Sequence, residues 1–161
     1  MPDLGLRRLA HQLAQKLQHN ALIQATAQAL REDLDCDRVL LYYFYRPWLG
    51  QVTFEALRSP DLSIFGSTGA DDCFNQNYAQ LYLAGRVRAI PDIETEAIHP
   101  CHRDFLRTIQ VRANLAVPIL THGTLWGLLI AHQLTPRPWF ESDIAAMEAG
   151  AKAIAGQLQQ R

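Results

Sequence analysis

The sequence predicts an α+β fold in which a central antiparallel sheet carries the N- and C-terminal helices on one face. Three observations support this: helix-period apolar stripes at both ends, two pairs of strand-like runs that turn back on themselves, and an irregular middle between the pairs. Leu6, Leu9, Leu13 and Leu17 recur at intervals of three and four, the period of one helix face, and define an amphipathic helix within residues 1–20. Asn20 offers a cap to a second segment carrying Leu22, Ala25, Ala29 and Leu30 as far as the polar run 32–35. The chain therefore opens as two helices or one interrupted helix.

The run Val39 to Tyr45 has strong strand propensity and is stopped by Pro47, and after Gly50 the apolar Val52, Phe54 and Ala56 alternate with polar residues. These two segments form an antiparallel hairpin. Residues 59–72 are rich in Ser, Gly, Asp and Pro, and an irregular stretch of that length inside a compact domain is often functional. Phe74 to Ala84 reads as a helix ended by Gly85, and 86–90 as a short strand before Pro91. His102 to Val111 is a helix with Phe105, Leu106 and Ile109 on one face. Segments 113–120 and 125–134 form a second hairpin turned at His122-Gly123. Phe140 to Gln159 closes the chain as a helix with Ile144, Met147, Ala151, Ile154 and Leu158 along one side, within a terminal element 140–161. No repeat or linker divides residues 1–161, so one domain is expected.

At 161 residues the chain can bury a single sizeable core. Its 15 Lys+Arg against 16 Asp+Glu, a formal charge of −1, disfavour a nucleic-acid binder that relies on counterion release. No apolar run is long enough to cross a membrane and no signal peptide is evident, so a cytoplasmic location without membrane insertion is the default expectation. The three cysteines lack C-x-x-C spacing, which argues against a disulfide framework or a zinc ribbon and leaves their thiols free for other uses. Cys36 has no chemical context and reads as structural.

Cys73 and Cys101 differ from Cys36 because each stands just before an expected helix. A thiol there feels unpaired amide donors and the positive dipole end, which stabilise its thiolate. His102, beside Cys101, is a base or hydrogen-bond donor within reach.

The Asp71-x-Cys73-Phe74 motif, the Cys101-His102 pair and the stretch Trp126-Gly127-Leu128-Leu129-Ile130-Ala131-His132-Gln133 together resemble the bilin-binding GAF domain of a cyanobacteriochrome, in particular the two-cysteine subgroup with an Asp-x-Cys-Phe motif. The resemblance spans nearly the whole chain. It implies a linear tetrapyrrole, phycocyanobilin or phycoviolobilin, held by a thioether from Cys101, with Cys73 as a second, reversible nucleophile. It further implies a photoreceptor that converts between 15Z and 15E states, one violet- or blue-absorbing and one at longer wavelength, and no enzyme activity beyond attachment of its own pigment. In such a domain Asp71 would accept from pyrrole N–H groups, and His102 would lie against the rings. Arg86, and less favourably Arg88, would pair with a propionate. Phe74, Tyr78 and Tyr82 would wall the pocket, and His132 would approach from the hairpin.

Ala97 stands where some relatives carry a bulky aromatic, which leaves the D-ring surroundings undefined. Fused signalling output domains are also implied, and the amphipathic terminal helices would allow a homodimer. Blander readings exist for each residue: Asp71 as a helix cap, His132 as a satisfied core histidine, Arg88 as a solvated cation, Trp126 and the leucine stripes as core. The alternative function is a GAF regulatory module that binds a cyclic nucleotide or another small ligand without covalent chemistry. A metal site at Cys73, His99, Cys101 and His102, and a cysteine hydrolase, are weaker competitors.

Overall fold

A computed structural model describes residues 3–69, 73 and 76–159. The first helix, α1, is one continuous element, Leu4–Leu34, capped by the Asp3 carboxylate, which accepts from Gly5 N and Leu6 N. Asn20 lies inside it, so the expected interruption is absent. The buried stripe of α1 is Ile23, Ala27, Leu30 and Leu34, so of the expected Leu22, Ala25, Ala29 and Leu30 only Leu30 is buried. Leu6, Leu9, Leu13 and Leu17 are each more than half exposed (64%, 62%, 58% and 59%), which corrects their reading as core. Only the C-terminal half of α1 reaches the sheet.

The five strands are β1 (Arg38–Arg46), β2 (Leu49–Leu57), β3 (Arg88–Ile90), β4 (Ala113–Thr121) and β5 (Thr124–Gln133). They pair antiparallel in the order β2-β1-β5-β4-β3. The remaining helices are α2 (Gln76–Leu83), α3 (Pro100–Thr108) and α4 (Glu141–Gln159), and Pro60–Leu62 forms a 3-10 turn. The β4–β5 turn places His122 at φ 50° and Gly123 at φ 74°, the left-handed geometry that a two-residue hairpin turn demands.

Because side chains alternate along a strand, the sheet separates two apolar layers. Val39 and Leu41 of β1, Leu115, Val117 and Ile119 of β4, and Leu129 and Ala131 of β5 face α1 and α4, where they join Ile23, Ala27, Leu30, Met147, Ala151 and Ile154. Leu40, Tyr42 and Phe44 of β1, Ala116 of β4 and Leu128 of β5 face the other way. On β2 the register slips where Leu41 opposes Phe54 and Tyr42 opposes Val52, leaving Thr53 as the extra residue of a bulge. The slip puts Val52 in the second layer, while Ala56 and Phe54 stay with the helices. Trp126 is half-buried and stacks on Tyr43 at 4.8 Å between ring centroids.

Candidate functional site: a cleft between the sheet and the crossing segments

The second face of the sheet is roofed by the chain between β2 and β4. Residues 64–67 lie back along the edge of β2, with Val52 N donating to Ser67 O (3.1 Å) and Gly66 N to Val52 O (2.9 Å). Beyond them, α2 and α3 complete the roof. A cleft remains between roof and sheet, with apolar walls from Leu40, Tyr42, Phe44, Leu106, Leu128 and Ile130. The cavity that water can enter measures about 100 Å³, and the cleft holds about 880 Å³ of non-atom space when its open mouth is counted. In this form the interior is narrow.

The polar groups of the cleft come from few positions. On β5, His132 is buried at 3% exposure, opposite Asn114 of β4 and Arg38 of β1 in the strand register. Arg38, itself 1% exposed, donates from Nε to His132 Nδ1 (3.1 Å), and its two Nη groups donate to Leu62 O and Ile109 O. Since Nδ1 accepts, the neutral imidazole carries its hydrogen on Nε2. Burial first, then the charge of Arg38, holds the His132 pKa well below the ordinary imidazole value, so this tautomer persists at neutral pH. Burial also lowers the Arg38 pKa, opposed by the carboxylates of Glu55 and Asp37.

Helix α3 positions the anchor candidate. His99 is its N-cap, accepting from Cys101 N at Nδ1 (3.1 Å), and Pro100 occupies the first helical position, where its missing N–H costs nothing. Cys101 thereby sits in the first turn. The approach to the helix is held by Arg103, which donates to Ile93 O and Glu96 O (both 2.9 Å), and by the Arg107–Glu94 ion pair at 2.6 Å. His102 lines the cleft, and burial, with Arg88, Arg86 and His99 nearby, pulls its pKa to about 4. It is neutral in the physiological range.

Cys73, Tyr78, Tyr82, Arg86, Arg88, His102 and His132 all line the cleft, so the structure gathers these predicted positions in one place. Cys101 adjoins the lining through its sulfur, which is bonded to that of Cys73 in a disulfide between residues 28 positions apart. This corrects the expectation that both thiols are free: tertiary packing closes a pairing that no local spacing announces. Asp71 and Phe74 lie outside the described residues. Arg86 follows Gly85 (φ 92°) and lies over the Tyr82 ring at 5.9 Å, whereas Arg88 on β3 meets Glu96 at 3.8 Å and donates to Ala97 O at 3.3 Å. Tyr82 is buried, and its pKa is raised by that burial against the opposing charges of Arg86 and Arg88.

Arg38 and Asn114 were not singled out in the sequence. Their only signal is parity: 38, 40, 42 and 44 on β1 share a face, as do 128, 130 and 132 on β5 and 114 and 116 on β4. Cys36 is fully buried, and burial pushes its thiol up to about 11. It takes no part in the cleft. Among the described residues, no three His, Cys, Asp or Glu side chains cluster to hold a metal, and no helix is long and apolar enough to cross a membrane.

An antiparallel sheet with paired terminal helices on one face and a mostly apolar cleft on the other defines a small-ligand-binding domain. The chain belongs to the GAF domain family, whose model matches residues 18–158. An uncharacterized protein of Picosynechococcus sp. (strain PCC 7002) is 47% identical over 159 residues, covering 99% of this chain and 98% of that protein. A putative methyl-accepting chemotaxis protein of Synechocystis sp. (strain PCC 6803) is 36% identical over 140 residues, 86% of this chain but only 14% of that protein. Among solved structures, the blue-light-absorbing form of the Thermosynechococcus elongatus PixJ GAF domain superposes with a TM-score of 0.79 at 32% identity, covering 89% of each chain. The phycocyanobilin-bound GAF domain of a cyanobacterial phytochrome gives 0.82 at 28% identity, covering 96% of this chain and 92% of that one. The structural neighbours are thus bilin-binding photoreceptor GAF domains.

Proposed function

We propose that this chain is a photosensory domain that binds phycocyanobilin or phycoviolobilin covalently through Cys101 and reversibly through Cys73. The observation that carries the reading is the meeting of these two sulfurs at the edge of an apolar cleft in a fold shared with bilin-bound domains. The donor set fits an open-chain tetrapyrrole: apolar walls for the rings, cations at the mouth for propionates, neutral imidazoles for pyrrole nitrogens.

When bound, the pigment supplies a visible-absorbing conjugated system and an electrophilic A-ring side chain. Cys101 would hold the pigment there through a thioether, an addition in which the thiol proton would go to the neighbouring carbon with no leaving group. The helix start favours the thiolate form it needs. Arg86 is the better placed propionate partner, since Arg88 already serves Glu96 and Ala97. The His132 Nε2–H is a fixed donor, and neutral His102 offers one donor and one acceptor. Tyr78 and Tyr82 wall the pocket, and Asp71 and Phe74 keep the roles that the motif implies. Cys73 would hold the central methine carbon as a second, reversible nucleophile, its thiol proton passing to a pyrrole nitrogen, and the light-driven 15Z/15E change of the bound pigment would supply the switch between a violet or blue state and a longer-wavelength one.

The N-terminal half of α1 presents Leu6, Leu9, Leu13 and Leu17 to solvent, and a lone helix of this length is marginal in water. We infer that it pairs with a second copy and passes the change at the pigment to a signalling output. Production in cells that make phycocyanobilin tests the central reading: a coloured protein whose absorption survives acid denaturation and changes on illumination is expected. A colourless protein that binds a cyclic nucleotide would establish the alternative.

A further inference from the structure

The structure holds Cys73 and Cys101 as a cystine. Their Cα atoms are 5.7 Å apart, inside the roughly 4.4–6.8 Å range in which a disulfide forms without backbone movement. Both residues are only half-buried, so small thiols and disulfides reach them. The bond ties the first turn of α3 to Cys73, a residue that lines the cleft a pigment must enter.

We propose that the Cys73–Cys101 pair is a reversible redox gate on chromophore loading: as a cystine the pocket cannot take its pigment covalently, and as a dithiol it can. The proposal rests on the reading of Cys101 as anchor. A sulfur committed to a disulfide has no thiolate to offer, and both nucleophiles are removed by one bond. Closing the gate breaks two S–H bonds and forms one S–S bond. The two electrons and two protons pass to a low-molecular-weight disulfide, which leaves as two thiols by way of a mixed disulfide that the second cysteine displaces. A dithiol reductant reverses each step. Cys36 stays outside this exchange because it is fully buried and its sulfur donates to Arg38 O. Redox poise would then decide what fraction of newly made protein becomes a light sensor.

The test uses the pigment-free chain treated with diamide, an azo oxidant that takes up the two hydrogens, or with dithiothreitol, each then removed. Of the three cysteines, only Cys36 should titrate in the denatured oxidised protein, and a non-reduced digest should link the Cys73 and Cys101 peptides. Phycocyanobilin is then added and acid-stable absorbance followed. The oxidised protein should load at least about tenfold more slowly than the reduced one, with recovery on later reduction. Cys73→Ala cannot form the cystine, and its loading rate, whatever its value, should be the same before and after diamide. Equal loading of oxidised and reduced wild type, or three titratable thiols after oxidation, would overturn the gate alone. Failure of the reduced protein to load at all would overturn the assignment of the anchor, and the gate with it.

Discussion

Arg38 and His132 face each other across neighbouring strands, and the guanidinium Nε donates to the imidazole Nδ1 at 3.1 Å. One buried cation thus fixes a histidine tautomer at the cleft and ties the 3-10 turn and the end of α3 to the sheet through Leu62 O and Ile109 O. Arg38→Met keeps the bulk and removes the donors. It should destabilise the domain by about 1–3 kcal/mol, because three acceptors, one buried and two partly buried, lose their partner while the cost of burying the charge is relieved. Urea unfolding followed by circular dichroism measures this, and a loss under about 1 kcal/mol would show that water replaces the guanidinium.

His102 and His132 are both held neutral by burial, with folded pKa values below the unfolded one. The unfolded chain therefore binds protons first as pH falls, and stability declines from about pH 6.5 downward, for His102 until about pH 4. Each such histidine contributes a slope of about 1.4 kcal/mol per pH unit at most within its window. His102→Gln should reduce the slope of unfolding free energy against pH in this range by about one proton's worth. Asp92 and Glu94, lowered chiefly by hydrogen bonds from Arg112 and Arg107 respectively, add their own acid lability at lower pH, as their carboxylates protonate. Unchanged slopes in the variant would place the acid sensitivity elsewhere.

Cys101→Ala should abolish acid-stable pigment, leaving at most colour that is lost on denaturation. Cys73→Ala should remain coloured under reducing conditions and lack the violet or blue state. Absorption spectra before and after illumination separate the two roles, and a retained short-wavelength band in Cys73→Ala would remove the second linkage.

Gly150 on α4 lies where an added Cβ would fall 2.6 Å from Leu30 Cδ1 of α1. Gly150→Val should therefore force α1 from α4 and cost roughly 1–3 kcal/mol, read as a lowered urea midpoint. Neighbouring Gly156 meets nothing within 4 Å, so Gly156→Ala should leave stability unchanged or slightly raised. Equal midpoints for the two variants would contradict the packing.

The exposed leucine stripe gives a prediction of association. Leu9→Glu with Leu13→Glu should convert a dimer to a monomer in sedimentation while the unfolding midpoint of the sheet is retained, since neither side chain reaches the core. A wild type that sediments as a monomer at high concentration would refute pairing through α1.

The sequence by itself determined the elements whose signals are local. Strand runs with Pro and Gly stops, the His122-Gly123 turn, and the helix from His102, which the structure starts two residues earlier at Pro100, all depend on residues within a few positions of one another. The Cys101-His102 pair and the tyrosines of α2 were legible for the same reason. The continuity of α1 through Asn20 and the phase of its buried stripe were not, because burial there depends on where the helix meets β2 and α4. The bulge at Thr53 leaves no trace in the sequence, because alternation of 52, 54 and 56 reads the same with or without a slip. Only the tertiary structure decided that Asn114 reaches the cleft, that buried Arg38 holds the cleft's His132, and that two sulfurs 28 residues apart lie within bonding distance. A chain's periodicity reports which way a side chain points along its own element, whereas a meeting of two segments depends on how the sheet, turns and helices stack, which no short window contains.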